Sequence, residues 1–143
     1  RSRSDLQNNN VLRYLYIHVK EEFVTSKYLL NIKSKTLRKS MTRLRVSAHN
    51  LRIETGRHGR NRIERTERVC QLCSSRDIED EFHFILKCNS YDQLRQQFIK
   101  PYYFRSPSMI KFIQLLNSEN MVTVTNLAKY ILYANKKRME LLR

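Results

Sequence analysis

The stretch Cys70-Gln71-Leu72-Cys73, followed by His83 and Cys88, decides how this chain folds. These four residues include all three cysteines of the 143-residue chain and have the spacing C-x2-C-x9-H-x4-C. Three thiolates and one imidazole complete the tetrahedral shell that structural Zn²⁺ prefers, and they leave no position for a water. The spacing therefore predicts one closed structural zinc site made by Cys70, Cys73, His83 and Cys88. The alternative is three buried thiols beside an unrelated surface histidine.

The composition favours a single, mainly α-helical domain. A length of 143 residues suits one domain, and only two glycines and two prolines are present. An all-β chain needs turn residues at regular intervals, so their scarcity argues against sandwiches and barrels. We expect N-terminal helices in residues 1–55, an Arg-rich loop and the zinc module in 56–100, and a helical tail in 101–143. The chain begins with Arg1 rather than Met, which leaves open whether it is a fragment.

The charge balance predicts a polyanionic partner. Lys and Arg number 28 against 13 Asp and Glu, for a formal charge of +15. A polyanion such as DNA or RNA neutralises such a charge, and a merely basic surface is the plainer alternative. No apolar run is long enough for a membrane span or a secretory signal, so no membrane is expected as a partner. Cysteines in metal spacing favour a reducing compartment, nuclear or cytoplasmic, and argue against secretion.

Helical periodicity appears on both sides of the zinc motif. Asn10 can cap a helix over 11–23, and a second pattern runs from about Thr36 to His49. The apolar face of the second pattern is formed by Leu37, Met41, Leu44 and Ala48, and a stripe on its other side by Lys35, Lys39 and Arg43. That stripe is either a solvated face or a phosphate-binding surface.

The helix that carries His83 is expected to start at an Asp77 N-cap. Glu79, Asp80 and Glu81 would then lie in its first turn, where the helix dipole favours carboxylates. His83 and Cys88 are five residues apart, or about 140° around an ideal α-helix. Both can reach one metal only if the helix ends near Lys87 and Cys88 turns back.

Three further helices are predicted after Cys88. Asn89 or Ser90 can cap the first, and Pro101 ends it. Ser106 followed by Pro107 resembles an N-cap with Pro at the first helical position. The apolar face of that second helix would be Ile110, Ile113 and Leu116, and the last helix starts near Thr123 with Val124, Leu127, Ala128, Ile131 and Leu132 buried.

An arginine-rich loop precedes the first zinc cysteine. It starts at Gly56, contains both glycines, and is expected to contact phosphates, because guanidinium offers a planar fork of donors. The predicted nucleic-acid contacts are Arg57, Arg60, Arg62, Arg65 and Arg68, with Lys35, Lys39 and Arg43.

Enzymatic chemistry has little support in the sequence. No acidic residue has a Lys two positions later, and no Walker loop, nucleophile elbow or H-E-x-x-H motif is present. We therefore expect neither catalysis nor a small-molecule substrate.

Several motifs between residues 41 and 138 resemble one known family. They are Leu44-Arg45 with His49, Ile53-Glu54-x-Gly56-Arg57, Arg68-x-Cys70-x2-Cys73, Glu79-Asp80-Glu81-x-His83-Phe84, Cys88-x2-Tyr91-x2-Leu94-Arg95, and Asn126-x-Ala128-Lys129-Tyr130 with Lys136-Lys137-Arg138. Together they resemble the C-terminal segment of non-LTR (LINE-type) retrotransposon polyproteins, which carry a CCHC zinc motif after the reverse transcriptase. The run from Arg68 to Arg95 is the specific part.

The resemblance implies a segment that helps to hold element RNA or target DNA during target-primed reverse transcription. It assigns Cys70, Cys73, His83 and Cys88 to zinc, and Arg57 and Arg68 to backbone contacts. The paired catalytic aspartates of the polymerase and a downstream endonuclease motif are absent. The expectation is thus a non-enzymatic nucleic-acid-binding tail, or a remnant of one. The alternative is a docking or scaffold domain that packs on the polymerase part of the same polyprotein or on a host factor.

Overall fold

The computed structural model describes residues 32–45, 49–57 and 62–143. The predicted helix over 11–23, Ala48 and Arg60 lie outside these ranges. The described chain is mostly helical, as predicted, and contains no strand. Its α-helices are α1 (Lys35–Arg45), α2 (Arg52–Thr55), α3 (Asp92–Phe98), α4 (Pro101–Phe104), α5 (Met109–Leu116) and α6 (Met121–Leu141). Between α2 and α3 lie 3-10 turns at Arg65–Glu67 and Asn89–Tyr91 and a π-helical segment at His83–Lys87.

Helix α1 has the two faces that its sequence predicts. Leu37, Met41 and Leu44 are buried, and α1 packs along α6. The stripe of Lys35, Lys39 and Arg43 on its other side is exposed. The predicted extension to His49 is wrong, because His49 lies in a bend.

The long helix α6 packs against both α1 and α3. It starts at Met121, two residues before the predicted Thr123, because the Asn120 side chain accepts a hydrogen bond from the Thr123 N–H at 3.1 Å. Four of its five predicted core residues, Val124, Leu127, Ala128 and Ile131, are buried, and Leu132 is half-buried. No helix in the described ranges is long and apolar enough to cross a membrane.

Two of the helix caps predicted after Cys88 are wrong. The N-cap of α3 is Tyr91, after a 3-10 turn, and Ser90 instead donates its hydroxyl to the Leu72 carbonyl at 2.7 Å. Ser108, and not Ser106, caps α5 by accepting from the Lys111 N–H at 3.2 Å.

Helix α5 also buries a different face from the predicted one. Phe112, Leu115 and Leu116 are buried, whereas Ile110 is 57% exposed. Of the predicted face of Ile110, Ile113 and Leu116, only Leu116 is fully buried.

Candidate metal centre

A short antiparallel pairing presents the first two cysteines. Val69 and Ile78 form an isolated β-bridge, beside which the Cys70 N–H donates to the Asp77 carbonyl at 2.9 Å. The intervening loop carries Cys73, and it folds back so that the Leu72 N–H points at the Cys70 Sγ at 3.4 Å. A backbone donor aimed at sulfur stabilises a thiolate, so the loop is suited to a charged cysteine.

The helix that carries His83 is capped by Asp80 and not by Asp77. The Asp80 Oδ1 accepts from the His83 N–H at 2.8 Å. Asp77 cannot act as the N-cap because its carbonyl pairs with Cys70 across the β-bridge. Glu79 precedes the helix as well, so the prediction of Glu79 and Asp80 in its first turn is also wrong.

A π-helical turn brings His83 and Cys88 to the same side. The Cys88 N–H donates to the His83 carbonyl at 2.8 Å, which is the i to i+5 pattern of a π-helix. In a π-helix five residues make roughly one turn, whereas in an ideal α-helix the fifth residue lies about 140° beyond one full turn. The helix ends at Lys87 and Cys88 is extended, with φ −60° and ψ 122°. The predicted ending near Lys87 is therefore confirmed.

The four predicted ligands lie together, and their ligand atoms are all within 4.8 Å of one another. The Cys70 and Cys88 Sγ atoms are 3.9 Å apart, and the Cys73 Sγ is 3.3 Å from the His83 Nε2. A tetrahedron with Zn–S of about 2.3 Å and Zn–N of about 2.0 Å has S–S edges of about 3.8 Å and S–N edges of about 3.5 Å. The cluster can therefore hold one metal ion through three sulfurs and one nitrogen.

The thiols bind protons unequally in the absence of metal. The hydrogen bond between Cys70 and Cys88, helped by burial, raises the pKa of Cys70 to about 12. The same hydrogen bond lowers the pKa of Cys88. Burial lowers the pKa of His83, but hydrogen bonds and charge from Cys70 and Cys73 outweigh it and raise the pKa overall. A metal that binds here must displace the Cys70 proton.

Asp77 faces the other nitrogen of the histidine. Its Oδ2 lies 3.6 Å from the His83 Nδ1 and 3.3 Å from the Lys87 Nζ. A carboxylate near the second ring nitrogen favours the Nδ1–H tautomer, which leaves the Nε2 lone pair for a metal. Lys87 offsets the charge of Asp77, and both side chains are partly exposed.

A buried ion pair, not predicted from the sequence, ties α6 to the metal centre. Arg138 donates from Nε and Nη2 to the two Glu79 carboxylate oxygens at 3.0 and 2.7 Å. Glu79 also accepts from the Arg52 N–H at 2.7 Å, and its Oε2 is 4.0 Å from the Cys70 Sγ. Glu79 therefore joins α2, α6 and the first cysteine.

Arg95 holds the backbone from which Cys88 projects. Its guanidinium donates to the Ile85 carbonyl and to the Cys88 carbonyl, both at 2.8 Å, and to the Tyr130 hydroxyl at 3.2 Å. Tyr130 in turn donates its hydroxyl to the Phe84 carbonyl. These bonds reach carbonyl groups in and just after the π-helical segment, where a helix end leaves carbonyls without an intrahelical donor.

His49, Glu54 and Glu81 form a second group whose ligand atoms lie within 4.8 Å. The His49 Nδ1 accepts from the Leu51 N–H at 3.3 Å, so the neutral ring carries its proton on Nε2. Nε2 is 3.0 Å from the Glu81 Oε1, to which it donates. This tautomer leaves no lone pair on Nε2 for a metal, and the group is a hydrogen-bonded link between the bend at His49 and Glu81, two residues before the π-helical segment.

The predicted nucleic-acid contacts have different environments. Arg57 and Arg62 are exposed, as is the stripe on α1, and Arg65 is half-buried. Arg68 is buried and donates to the Ile63 and Ile53 carbonyls at 2.9 and 3.1 Å. Two of its guanidinium nitrogens therefore donate to the backbone, which gives Arg68 a structural role between residues 53 and 63.

No protein-family model matches the chain, and neither a curated protein nor a solved structure is similar to it.

Proposed function

We propose that Cys70, Cys73, His83 and Cys88 bind one structural Zn²⁺. Three sulfurs and one imidazole nitrogen favour zinc over the harder cations Mg²⁺ and Ca²⁺, which take oxygen ligands. Cys70, His83 and Cys88 are buried, and four protein ligands leave no position for a substrate. The ion would supply folding free energy by joining the cysteine loop to the π-helical segment.

We further propose that this zinc-stabilised unit is a non-enzymatic nucleic-acid-binding module in a reducing compartment, nuclear or cytoplasmic. The observation that supports it best is the exposed row of Lys35, Lys39 and Arg43 in a chain of charge +15. Arg57 and Arg62 add exposed cations, with Arg65 half-buried, and Arg60 belongs to the same loop in sequence. Contacts from these groups would go to phosphates, which position a strand without reading its sequence.

A salt titration tests this function directly. If about five to eight phosphates are neutralised, log K against log salt should fall with a slope of roughly −4 to −7. Replacing Lys35, Lys39 and Arg43 by Gln should make the slope shallower by about 2 to 3. The matched control, Lys35→Arg with Lys39→Arg and Arg43→Lys, keeps all three charges and should keep the wild-type slope. Absence of binding by the wild type at low salt would overturn the proposal.

The parent protein that we propose is a LINE-type retrotransposon reverse transcriptase, of which this chain is a tail or a remnant. The support is the set of motifs between Arg68 and Arg95. Two of them have a structural role, since Arg95 donates to the Cys88 carbonyl and Arg68 donates to the Ile53 and Ile63 carbonyls. A test is whether the chain co-purifies with a co-expressed LINE-type reverse transcriptase from which the corresponding segment has been deleted, and restores its RNA binding.

A docking role is the second candidate. Its support is a set of exposed apolar side chains near the two ends of α6, namely Val122, Met139, Leu141 and Leu142. Exposed apolar groups of this kind favour a protein partner over phosphates. If the chain binds a polymerase core at low and high salt alike but binds no nucleic acid, this role replaces the first.

A further inference from the structure

Tyr102 is exposed and yet held in one orientation. Its side chain is 54% exposed. Its hydroxyl donates to the Gln114 Oε1 at 2.8 Å, and its ring meets Tyr103 edge-on with centroids 5.1 Å apart. The Lys111 Nζ lies over the ring, 4.9 Å from its centroid, so one face of Tyr102 already carries a cation and a base would stack on the other face. The ring is therefore fixed before any ligand arrives, and a ligand that stacks on it orders little further side chain.

The sequence on both sides of Tyr102 carries charge of one sign. Between Asp92 and Glu119 the sequence has no acidic residue. It has Lys100 and Arg105, one on each side of α4 and both exposed, and Lys111 on α5. An anionic ligand at Tyr102 would thus meet cations from two helices and no nearby carboxylate from this segment.

An apolar and an amide group complete the surface. Ile110 is 57% exposed and stands one helical turn before Gln114, so the two share a face of α5. We call Tyr102, Ile110, Lys111 and Gln114 the Tyr102 platform. It combines an aromatic face, an aliphatic side chain, an amide and a cation, which are the groups that a nucleobase and its phosphate contact.

We propose that the Tyr102 platform binds an unpaired nucleotide, with the base stacked on the Tyr102 ring and the adjoining phosphates near Lys100, Arg105 and Lys111. Unpaired DNA or RNA suits it better than a duplex, because bases inside a duplex stack on one another and offer only their edges. The inference rests on the proposed nucleic-acid-binding function and adds to it the class of strand and the residue that recognises it.

Tyr133 offers a matched comparison. It is 44% exposed, but its ring lies nearly parallel to Phe98, with an interplanar angle of 14° and centroids 5.7 Å apart. Phe98 therefore already takes the place that a stacked base would take, and the Lys136 Nζ lies over the same tyrosine ring, 5.6 Å from its centroid. The same substitution at the two tyrosines therefore separates stacking at Tyr102 from a general effect of losing a surface aromatic.

Tryptophan fluorescence gives the direct test, because the chain contains no Trp. Tyr102→Trp creates a single reporter, and the ligands are oligo-dT and an abasic strand of the same length. The abasic strand has the same phosphates and no bases. Oligo-dT should quench the reporter strongly, whereas the abasic strand should bind with little quenching. Tyr133→Trp should show little quenching with either strand.

Affinity measurements complete the test. Tyr102→Leu should weaken oligo-dT binding about 5- to 150-fold, the range for loss of one stacked base, and should leave the abasic strand unaffected. Tyr102→Phe, which keeps the ring, should stay within a few-fold of wild type, and so should Tyr133→Leu.

The outcomes distinguish this inference from the function on which it rests. Equal binding of both strands by wild type and by Tyr102→Leu would overturn the platform and leave phosphate binding intact. No binding of either strand at low salt would overturn the nucleic-acid function itself. A third outcome is that the chain binds oligo-dT and the abasic strand equally, while a peptide of acidic and apolar residues binds at Tyr102. That result would overturn nucleotide stacking and assign the surface to a protein partner.

Discussion

Replacing Arg138 by Met tests how the long helix α6 is held against the metal centre. Arg138 and Glu79 form two hydrogen bonds at 3.0 and 2.7 Å, and their side chains are only 9% and 2% exposed. Arg138→Met keeps most of the aliphatic volume but leaves the Glu79 carboxylate buried without its cation. Removal of one partner of such a pair costs about 3–5 kcal/mol. Because domains are stable by only about 5–15 kcal/mol, this loss is large.

Urea unfolding of the zinc-loaded protein, followed by circular dichroism, measures the loss. The matched control is Lys136→Met, an exposed cation of the same helix whose ammonium lies 5.6 Å from the Tyr133 ring centroid. An exposed cation–π contact contributes about 0.5–1 kcal/mol, so the control should lose no more than that.

A second variant shows whether the unpaired charge is the cause. Glu79→Gln removes the charge and keeps a side-chain oxygen that can accept from the Arg52 N–H. The double variant Glu79→Gln with Arg138→Met should be more stable than Arg138→Met alone by about 1–3 kcal/mol, since a neutral amide is easier to bury than a carboxylate. A loss below about 1 kcal/mol for Arg138→Met, equal to that of the control, would refute the reasoning.

Three further predictions concern the metal site and its surroundings. Asp77→Ala should weaken zinc binding about tenfold in a chelator competition, because the carboxylate near the His83 Nδ1 favours the ligating tautomer, while the exposed Glu119→Ala should change nothing. Gly56→Ala should lower the free energy of unfolding by about 1–3 kcal/mol in urea melts, since an added Cβ would lie 2.9 Å from the Arg68 Cγ and 3.0 Å from the Arg52 carbonyl oxygen. An unchanged unfolding midpoint would contradict this and show that the Arg68 side chain moves aside without cost. Zinc affinity should fall at least about tenfold per pH unit on acidification below pH 7, because the pKa of Cys70 is raised to about 12 and its proton must leave when the metal binds. Calorimetry in buffers of different ionisation enthalpy should show at least about one proton released per ion. A zinc affinity that does not change with pH would contradict this prediction.

The four residues of the candidate metal centre could be predicted from the sequence because their spacing is local. Cys70 and Cys73 are held by one loop, and the angle between His83 and Cys88 required the helix to end near Lys87. The buried faces of α1 and α6 followed in the same way from apolar periodicity. The zinc identity and the division into domains stay predictions.

The buried arginines could not be predicted, since a charged residue looks the same in sequence whether it is solvated or paired. Arg138 donates to Glu79, which is 59 positions away in the sequence, and Arg68 donates to the Ile53 carbonyl, which is 15 positions away. Only tertiary structure brings such partners together. The predicted start of the helix that carries His83 is wrong for a different reason, because Asp77 and Asp80 are equally good N-cap residues in the sequence. The β-bridge that uses the Asp77 carbonyl decides between them.

X-ray absorption at the zinc edge of the purified chain, together with elemental analysis, shows whether the four residues bind zinc and through which atoms. We expect one zinc per chain, with about three sulfurs at about 2.3 Å and one nitrogen at about 2.0–2.1 Å. His83→Ala should replace the nitrogen by a water oxygen or release the metal. A chain that refolds with full helicity and binds no zinc, or a wild-type shell of oxygen ligands, would contradict the account.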